Sequence, residues 1–153
     1  MRPFRSPSPS QPKQATLLLV EDHDDYRQVV KLALNSFLPD WLVLEGDSVA
    51  AASEVLQNSA VDVLVCDLTL PDGLAFDLLD RLAQISPGQI KVIIISNHSA
   101  EQLEAIPERA DIHGYFTKER GLKELAHLIE QVAGLESNHP ARHVPSALPT
   151  FQA

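Results

Sequence analysis

Five short apolar runs, each followed by an amphipathic stretch, fill the middle of this chain. The runs are "ATLLLVED", "WLVLEG", "VDVLVCD", "KVIIIS" and "HGYFTK". "ATLLLVED" is nearly all apolar and reads as a strand buried on both faces, "VDVLVCD" is apolar and β-branched, "KVIIIS" is the most apolar, and "WLVLEG" and "HGYFTK" read as further strands. The stretches between them carry apolar residues at helical spacing. Strands alternating with helices imply a mostly parallel sheet with helices on both sides, joined by right-handed crossovers. The expected fold class is therefore α/β, a doubly wound five-stranded parallel sheet of the (βα)5 kind.

The helices differ in clarity. "DDYRQVVKLALNSF" places Tyr26, Val29, Val30, Ala33 and Phe37 at helical spacing, with Asp24 as its predicted N-cap. "SVAAASEVLQNS" opens on Ser48 and puts Val49, Ala52, Val55 and Leu56 on one face. "GLAFDLLDRLAQIS" carries Leu74, Leu78, Leu82 and Ile85, and Pro87-Gly88 ends it. "SAEQLEAIPERA" is weaker, because Pro107 lacks an amide hydrogen and clashes with the preceding turn. "LKELAHLIEQVAGL" is the clearest, with Leu122, Leu125, Ala126, Ile129 and Val132 in register.

Both ends read as tails. "RPFRSPSPSQPKQ" and "ESNHPARHVPSALPTFQA" are rich in Pro and small polar residues and poor in surface to bury. The expected organisation is a disordered tail over 1–14, one domain over 15–135 and a flexible tail over 136–153. A chain of 153 residues has room for one such core. The net charge of −9 has the wrong sign for gripping phosphate backbones, so direct nucleic-acid binding is not expected. No apolar run approaches the roughly 18 residues that span a membrane. Cys66 is the single cysteine, which points to a reducing compartment, and its place in an apolar run gives it a packing role. A cytoplasmic protein is expected.

Ligands of doubly wound sheets bind beyond the carboxyl ends of the strands. Here the strands end in Glu21-Asp22, Glu45-Gly46-Asp47, Asp67, Ser96-Asn97-His98 and Thr117-Lys118. Singly, each has an ordinary reading: Asp67 as a helix cap or turn residue, Glu21-Asp22 as a solvated loop, Lys118 as a surface lysine, Ser96 as loop chemistry, Tyr115 as sheet packing. Together they make a different set. Glu21, Asp22 and Asp67 are hard oxygen ligands suited to Mg²⁺. A metal and an ammonium around a carboxylate suit phosphoryl chemistry, in which an Asp oxygen attacks phosphorus to give an aspartyl phosphate. Ser96 could hydrogen-bond to a phosphoryl oxygen.

Other readings are weaker. The six histidines, His23, His98, His113, His127, His139 and His143, show no tight ligand spacing. "EDHDD" lacks the glycine and terminal glutamate of a calcium loop. No Gly-rich phosphate loop follows the first strand, which argues against a nucleotide or flavin site. "VEDHDD" offers the Asp-x-Asp spacing of a haloacid-dehalogenase-type phosphatase, but that leaves "LVCDLTLPDG" unexplained.

The motifs "LLLVED", "VLVCDLTLPDG", "VIIISN" and "GYFTK", in this order and each at a strand end, resemble the receiver domain of bacterial two-component response regulators, the chemotaxis-regulator type. The resemblance covers about Ala15 to Leu135 and implies a flavodoxin-like strand order of 2-1-3-4-5. It implies that Asp67 accepts a phosphoryl group from a histidine kinase or phosphotransfer protein. Glu21, Asp22, Asp67 and the backbone carbonyl of Thr69 would hold Mg²⁺. Lys118 and Ser96 would contact the phosphoryl group, Ser96 and Tyr115 would act as the switch, and Thr69 and His98 would tune the rate of its loss. The face of the fourth helix, fifth strand and fifth helix would then change its binding of a downstream protein or DNA-binding domain. A phosphorylation-dependent homodimer is one form such output takes. The chain would be a signalling switch rather than an enzyme, catalysing only its own phosphorylation and dephosphorylation.

Three features depart from the family's commonest pattern. The acid pair is Glu-Asp, Lys118 is followed by Glu119 rather than proline, and Pro107 interrupts the fourth helix ahead of a long "RADIHGY" connection. They motivate an alternative reading: a pseudo-receiver, a protein-interaction module that keeps the fold without the switch.

Overall fold

In the computed structural model, which describes residues 14–85, 88–97 and 109–134, the apolar runs lie side by side as expected. The strands are β1 (Thr16–Val20), β2 (Leu42–Gly46), β3 (Val63–Asp67), β6 (Lys91–Ser96) and β7 (Gly114–Thr117). They form one parallel sheet in the order β2-β1-β3-β6-β7. This is the expected 2-1-3-4-5 once two two-residue strands, β4 (Thr69–Leu70) and β5 (Gly73–Leu74), are set aside. The helices are α1 (Asp24–Phe37), α2 (Val49–Asn58), α3 (Ala75–Ile85) and α4 (Leu122–Ala133), the last being the fifth helix of the sequence reading. The segment carrying Pro107, the residue His98, positions 1–13 of the first predicted tail and all of the second fall outside the described residues. No helix among the described residues is long and apolar enough to cross a membrane.

Strand side chains alternate between two cores because the side-chain period is two. Leu18, Val20, Leu64, Cys66, Val92 and Ile94 pack with α2 and α3. Leu17, Leu19, Val63, Val65, Ile93, Ile95 and Phe116 pack with α1 and α4. All five residues of β3, Asp67 included, are buried. Fully burying each Leu, Ile or Val contributes about 1.5–3 kcal/mol, so the central strands anchor the fold.

Some helix details differ from the sequence reading. His23, not Asp24, is the N-cap of α1, and its side chain makes no capping bond. Asp24 is the first helical residue, where its charge suits the helix dipole, and its carboxylate accepts from Arg27 Nη2 at 2.8 Å. The stripe expected on α1 is also shifted. Val30 and Leu34 are its buried residues, while Val29 and Phe37 are 53% and 45% exposed. Val29 lies one residue from Val30, about 100° around the helix. Phe37 lies in the last turn, where Leu38 takes the buried place. Leu74 precedes α3 rather than joining it and is exposed. Ser48 does cap α2, accepting from the Ala51 amide at 3.0 Å.

The loop after Asp67 folds into a small hairpin of its own. Thr69–Leu70 pairs antiparallel with Gly73–Leu74. Asp72 at its tip accepts from the Val49 and Ala50 amides at 2.8 and 3.0 Å, tying the hairpin to the start of α2. Those bonds hold its carboxyl below the usual carboxylate range. Gly73 has φ +156°, and a Cβ there would stand 2.7 Å from an Asp77 carboxylate oxygen, so the position needs glycine.

At the other end of the sheet, His113 Nδ1 accepts the Val92 N–H at 3.0 Å. Burial, then the nearby Lys91 charge, lowers the His113 pKa, with Asp111 opposing. Because the folded pKa lies below the ordinary 6.5, this contribution to stability is complete above that pH and is lost as pH falls through and below it. A thermal melt series is expected to show Tm falling between pH 7.5 and 5. His113→Asn, which can still accept but does not titrate, should make that fall shallower.

Candidate functional site

Three strand ends converge on one buried ammonium. Lys118, one residue past β7, places Nζ 2.6 Å from Glu21 Oε1 and 3.1 Å from Asp67 Oδ2. Glu21 follows β1 and is fully buried, and Asp67 closes β3 with its side chain 11% exposed. Parallel pairing sets this up. Val20 lies opposite Cys66, and Asp67 opposite Ile95, so neighbouring strands end at one level. The Lys118 amide donates to the Ser96 carbonyl at 2.8 Å, which fixes the lysine's backbone against the end of β6.

Each carboxylate has a distinct set of partners. Glu21 Oε2 accepts the His23 amide at 3.0 Å. Glu21 Oε1 has no aligned hydrogen bond, and its close approach to Lys118 is an ion contact. Asp67 Oδ2 accepts from Lys118, whereas among the described residues Oδ1 has only a long contact to the Thr69 amide at 3.4 Å. Asp22 is exposed, and ligand atoms of Glu21, Asp22 and His23 lie within 4.8 Å of one another. Ser96 is buried at the end of β6. Tyr115 is half-buried and packs with the α2 and α3 core, on the opposite face of β7 from Phe116. The Thr69 side chain is exposed. His98 lies outside the described residues. The site thus joins Glu21, Asp67 and Lys118 directly, sets Asp22 and the Thr69 amide beside them, and leaves Tyr115 farther back.

The electrostatics follow. Burial alone would lower the Lys118 pKa, but the Glu21 and Asp67 carboxylates outweigh it and hold the ammonium above its ordinary value. Burial, with the Asp67 and Glu21 charges, pushes the Cys66 thiol far up, so Cys66 is an inert packing group. Three carboxylates against one ammonium leave 3 − 1 = 2 negative charges at the rim. That excess, on hard oxygens, matches a divalent cation of the Mg²⁺ kind.

Two residues to which the sequence assigns no site role, Arg27 and Tyr26, adjoin the cluster. Arg27 Nη1 donates to the Glu21 carbonyl at 2.7 Å, while its Nε and Nη2 reach Glu45 and Asp24 at 3.1 and 2.8 Å. It pins the turn that carries the acid pair. Lys31 binds the other Glu45 oxygen at 2.7 Å. Tyr26 lies with its ring 4.7 Å from Lys118 Nζ. The helical spacing marked Tyr26 only as a core residue, and nothing local in the sequence links Arg27 to Glu45, 18 positions away. A cleft of about 520 Å³, lined by His23, Tyr26, Asn97, Lys118 and Glu119, opens beside the ammonium.

Residues 17–130 match the family described as the response regulator receiver domain. The nitrate/nitrite response regulator protein NarL of Escherichia coli K12 is 32% identical over 129 residues, 83% of this chain and 58% of NarL. The chain therefore spans under two thirds of that relative's length. Among solved structures, a LuxR-family two-component response regulator from Aurantimonas sp. SI85-9A1 superposes with a TM-score of 0.69 at 26% identity, covering 80% of this chain and 86% of that one. The HemR receiver domain from Leptospira biflexa gives 0.66 at 24% identity, covering 79% and 95%, and speaks to the fold alone.

Removing one partner of a buried ion pair leaves uncompensated charge and costs about 3–5 kcal/mol. Lys118→Met is accordingly expected to lower stability by about 3 kcal/mol in urea unfolding. Mg²⁺ should recover more stability in the variant than in the parent protein, because the two carboxylates then have no other cation. Equal Mg²⁺ effects in both would show that the rim does not bind the ion through these acids.

Proposed function

The chain belongs to the response regulator receiver domain family, and on that premise we propose that it is a phosphorylatable switch whose acceptor is Asp67. The supporting observation is the pairing of Asp67, at the end of a central strand, with Lys118 and Glu21 around one ammonium. Asp67 Oδ2 is engaged by Lys118, and Oδ1 carries only the long Thr69 contact, so Oδ1 is the attacking oxygen. It attacks the phosphorus of a phosphohistidine on a histidine kinase or phosphotransfer protein. An O–P bond forms, the P–N bond breaks, and its electron pair returns to the imidazole. Lys118 offsets charge on the transferred group, and Ser96 and the Thr69 amide offer hydrogen bonds to its oxygens. Glu21, Asp22, Asp67 and the Thr69 carbonyl would hold Mg²⁺, which when bound supplies further charge stabilisation.

Reversal of the state is hydrolysis of the acyl phosphate by water, at a rate that Thr69 and His98 would tune. Output runs through Ser96 and Tyr115 to the face that includes β7 and α4, where a downstream protein, a DNA-binding domain or a second copy would dock. The activity is that of a cytoplasmic switch, confined to the protein's own phosphorylation and dephosphorylation.

Acetyl phosphate with Mg²⁺ is expected to add one phosphoryl group, visible by intact mass, and Asp67→Asn should abolish it. Tight, Asp67-dependent Mg²⁺ binding with no uptake of phosphoryl group or beryllofluoride would instead identify a pseudo-receiver, a reading that the Glu119 following Lys118 keeps in view.

A further inference from the structure

The hydroxyl of half-buried Tyr26 is a buried polar atom that the chemistry above leaves unused. Tyr26 lies in the first turn of α1, between Asp25 and the pinned Arg27. Its ring faces Lys118 Nζ at 4.7 Å, within cation–π range. Its hydroxyl is shut off from solvent and has no hydrogen-bond partner among the described residues. Burial raises the hydroxyl's pKa, while Lys118 acts to lower it and Glu21 and Asp67 to raise it, which places the group within the field of the reactive cluster.

An unpartnered buried hydroxyl costs about 1–3 kcal/mol, and native structures rarely keep one without a reason. A core position at this spacing would be served as well by phenylalanine or leucine. The ring alone accounts for the contact with Lys118. The oxygen is the part left over, at the end of a side chain that, with Lys118 and Asn97, lines a cleft of about 520 Å³.

Building on the acceptor role of Asp67, we propose that Tyr26 is a positioning residue with a state-dependent partner. In the free protein its ring holds the Lys118 ammonium against Glu21 and Asp67. In the phosphorylated protein its hydroxyl donates a hydrogen bond to the phosphoryl group or to the water bound to it. The free state carries the cost of the missing partner, and the phosphorylated state does not. The hydroxyl therefore biases the equilibrium toward the phosphorylated form without touching the acceptor carboxylate. A cation–π contact tolerates sliding better than a hydrogen bond does, so the ring also lets Lys118 shift from carboxylate to phosphoryl oxygen.

The test uses Tyr26→Phe, which removes the oxygen and keeps the ring, on the whole chain. Beryllofluoride affinity in the presence of Mg²⁺, measured by calorimetry, is expected to fall about tenfold or more, the scale of a hydrogen bond to a charged group. Autodephosphorylation should quicken by a comparable factor. Mg²⁺ affinity should stay the same, and Tm of the free protein should stay level or rise. A merely structural hydroxyl would give the reverse pattern, with lower Tm and unchanged beryllofluoride affinity, and that overturns the proposal. Tyr26→Leu, which also removes the ring, should weaken beryllofluoride binding further. Parent protein that binds Mg²⁺ but not beryllofluoride would sink the phosphoacceptor reading together with this one. Parent protein that binds it, alongside an equal Tyr26→Phe, sinks only the role of Tyr26.

Discussion

The contact on which this structure turns is the single ammonium of Lys118 held between two buried carboxylates. At about 3 Å and an effective dielectric near 20, one such pair gains roughly 5 kcal/mol before desolvation is counted. Burial of either acid alone would consume that gain. The arrangement survives because one cation serves two anions at 2.6 and 3.1 Å and because the backbone fixes all three groups. Glu21 is held by the His23 amide and by Arg27 through its carbonyl. Lys118 is tied to Ser96 through its own amide. The site is therefore preorganised by strand ends, with side-chain freedom left mainly at exposed Asp22.

The rest of the fold can be read as the support of that contact. A parallel sheet brings residues far apart in sequence, 21, 67 and 118, to one rim, because every strand runs the same way and the crossovers return on the helix layers. Two cores grip the sheet from opposite faces, so β3 cannot slide without moving Leu64 and Cys66 out of one core and Val63 and Val65 out of the other. The hairpin after Asp67 is fastened to α2 by Asp72, which holds the Thr69 amide near Asp67. The conformation at Gly73 admits the tight return that the Asp77 carboxylate closes.

What was legible in the sequence follows from the range of the interactions involved. The strands were visible because burial on both faces writes a continuous apolar run, and Asp67 and Lys118 stood out because charge at the end of such a run is conspicuous. The order of the chain then sufficed to bring the acids and the lysine to one rim. The cap of α1 falls at His23 rather than Asp24, which lies in the first turn and pairs with Arg27, a boundary of one residue that the helical spacing does not fix. The apolar stripe of α1 was misjudged at Val29 and Phe37 because spacing gives a face but not where the sheet beneath it ends. The β4–β5 hairpin, the Arg27–Glu45 pair and the Tyr26–Lys118 contact were invisible for a different reason. Each depends on through-space partners or backbone angles that no local pattern encodes.

The same geometry suggests how a charge change at the rim is felt elsewhere. Lys118 stands one residue beyond β7, and its amide bonds the Ser96 carbonyl, while Thr117 is paired with Ser96 across the β6–β7 boundary. Under the proposed chemistry, a phosphoryl group on Asp67 would draw the ammonium outward and load that one short connection first. Phe116 cannot follow, because it is fully buried against α1 and α4 and sits under the Arg120 guanidinium at 4.9 Å. Tyr115 is on the other face, only half-buried, with its carbonyl held by a long Arg120 contact at 3.4 Å. Under the proposed chemistry, Ser96 and Tyr115 would relay the state of Asp67 because Ser96 receives the Lys118 amide and Tyr115 lies on the same short strand, next to the anchored Phe116.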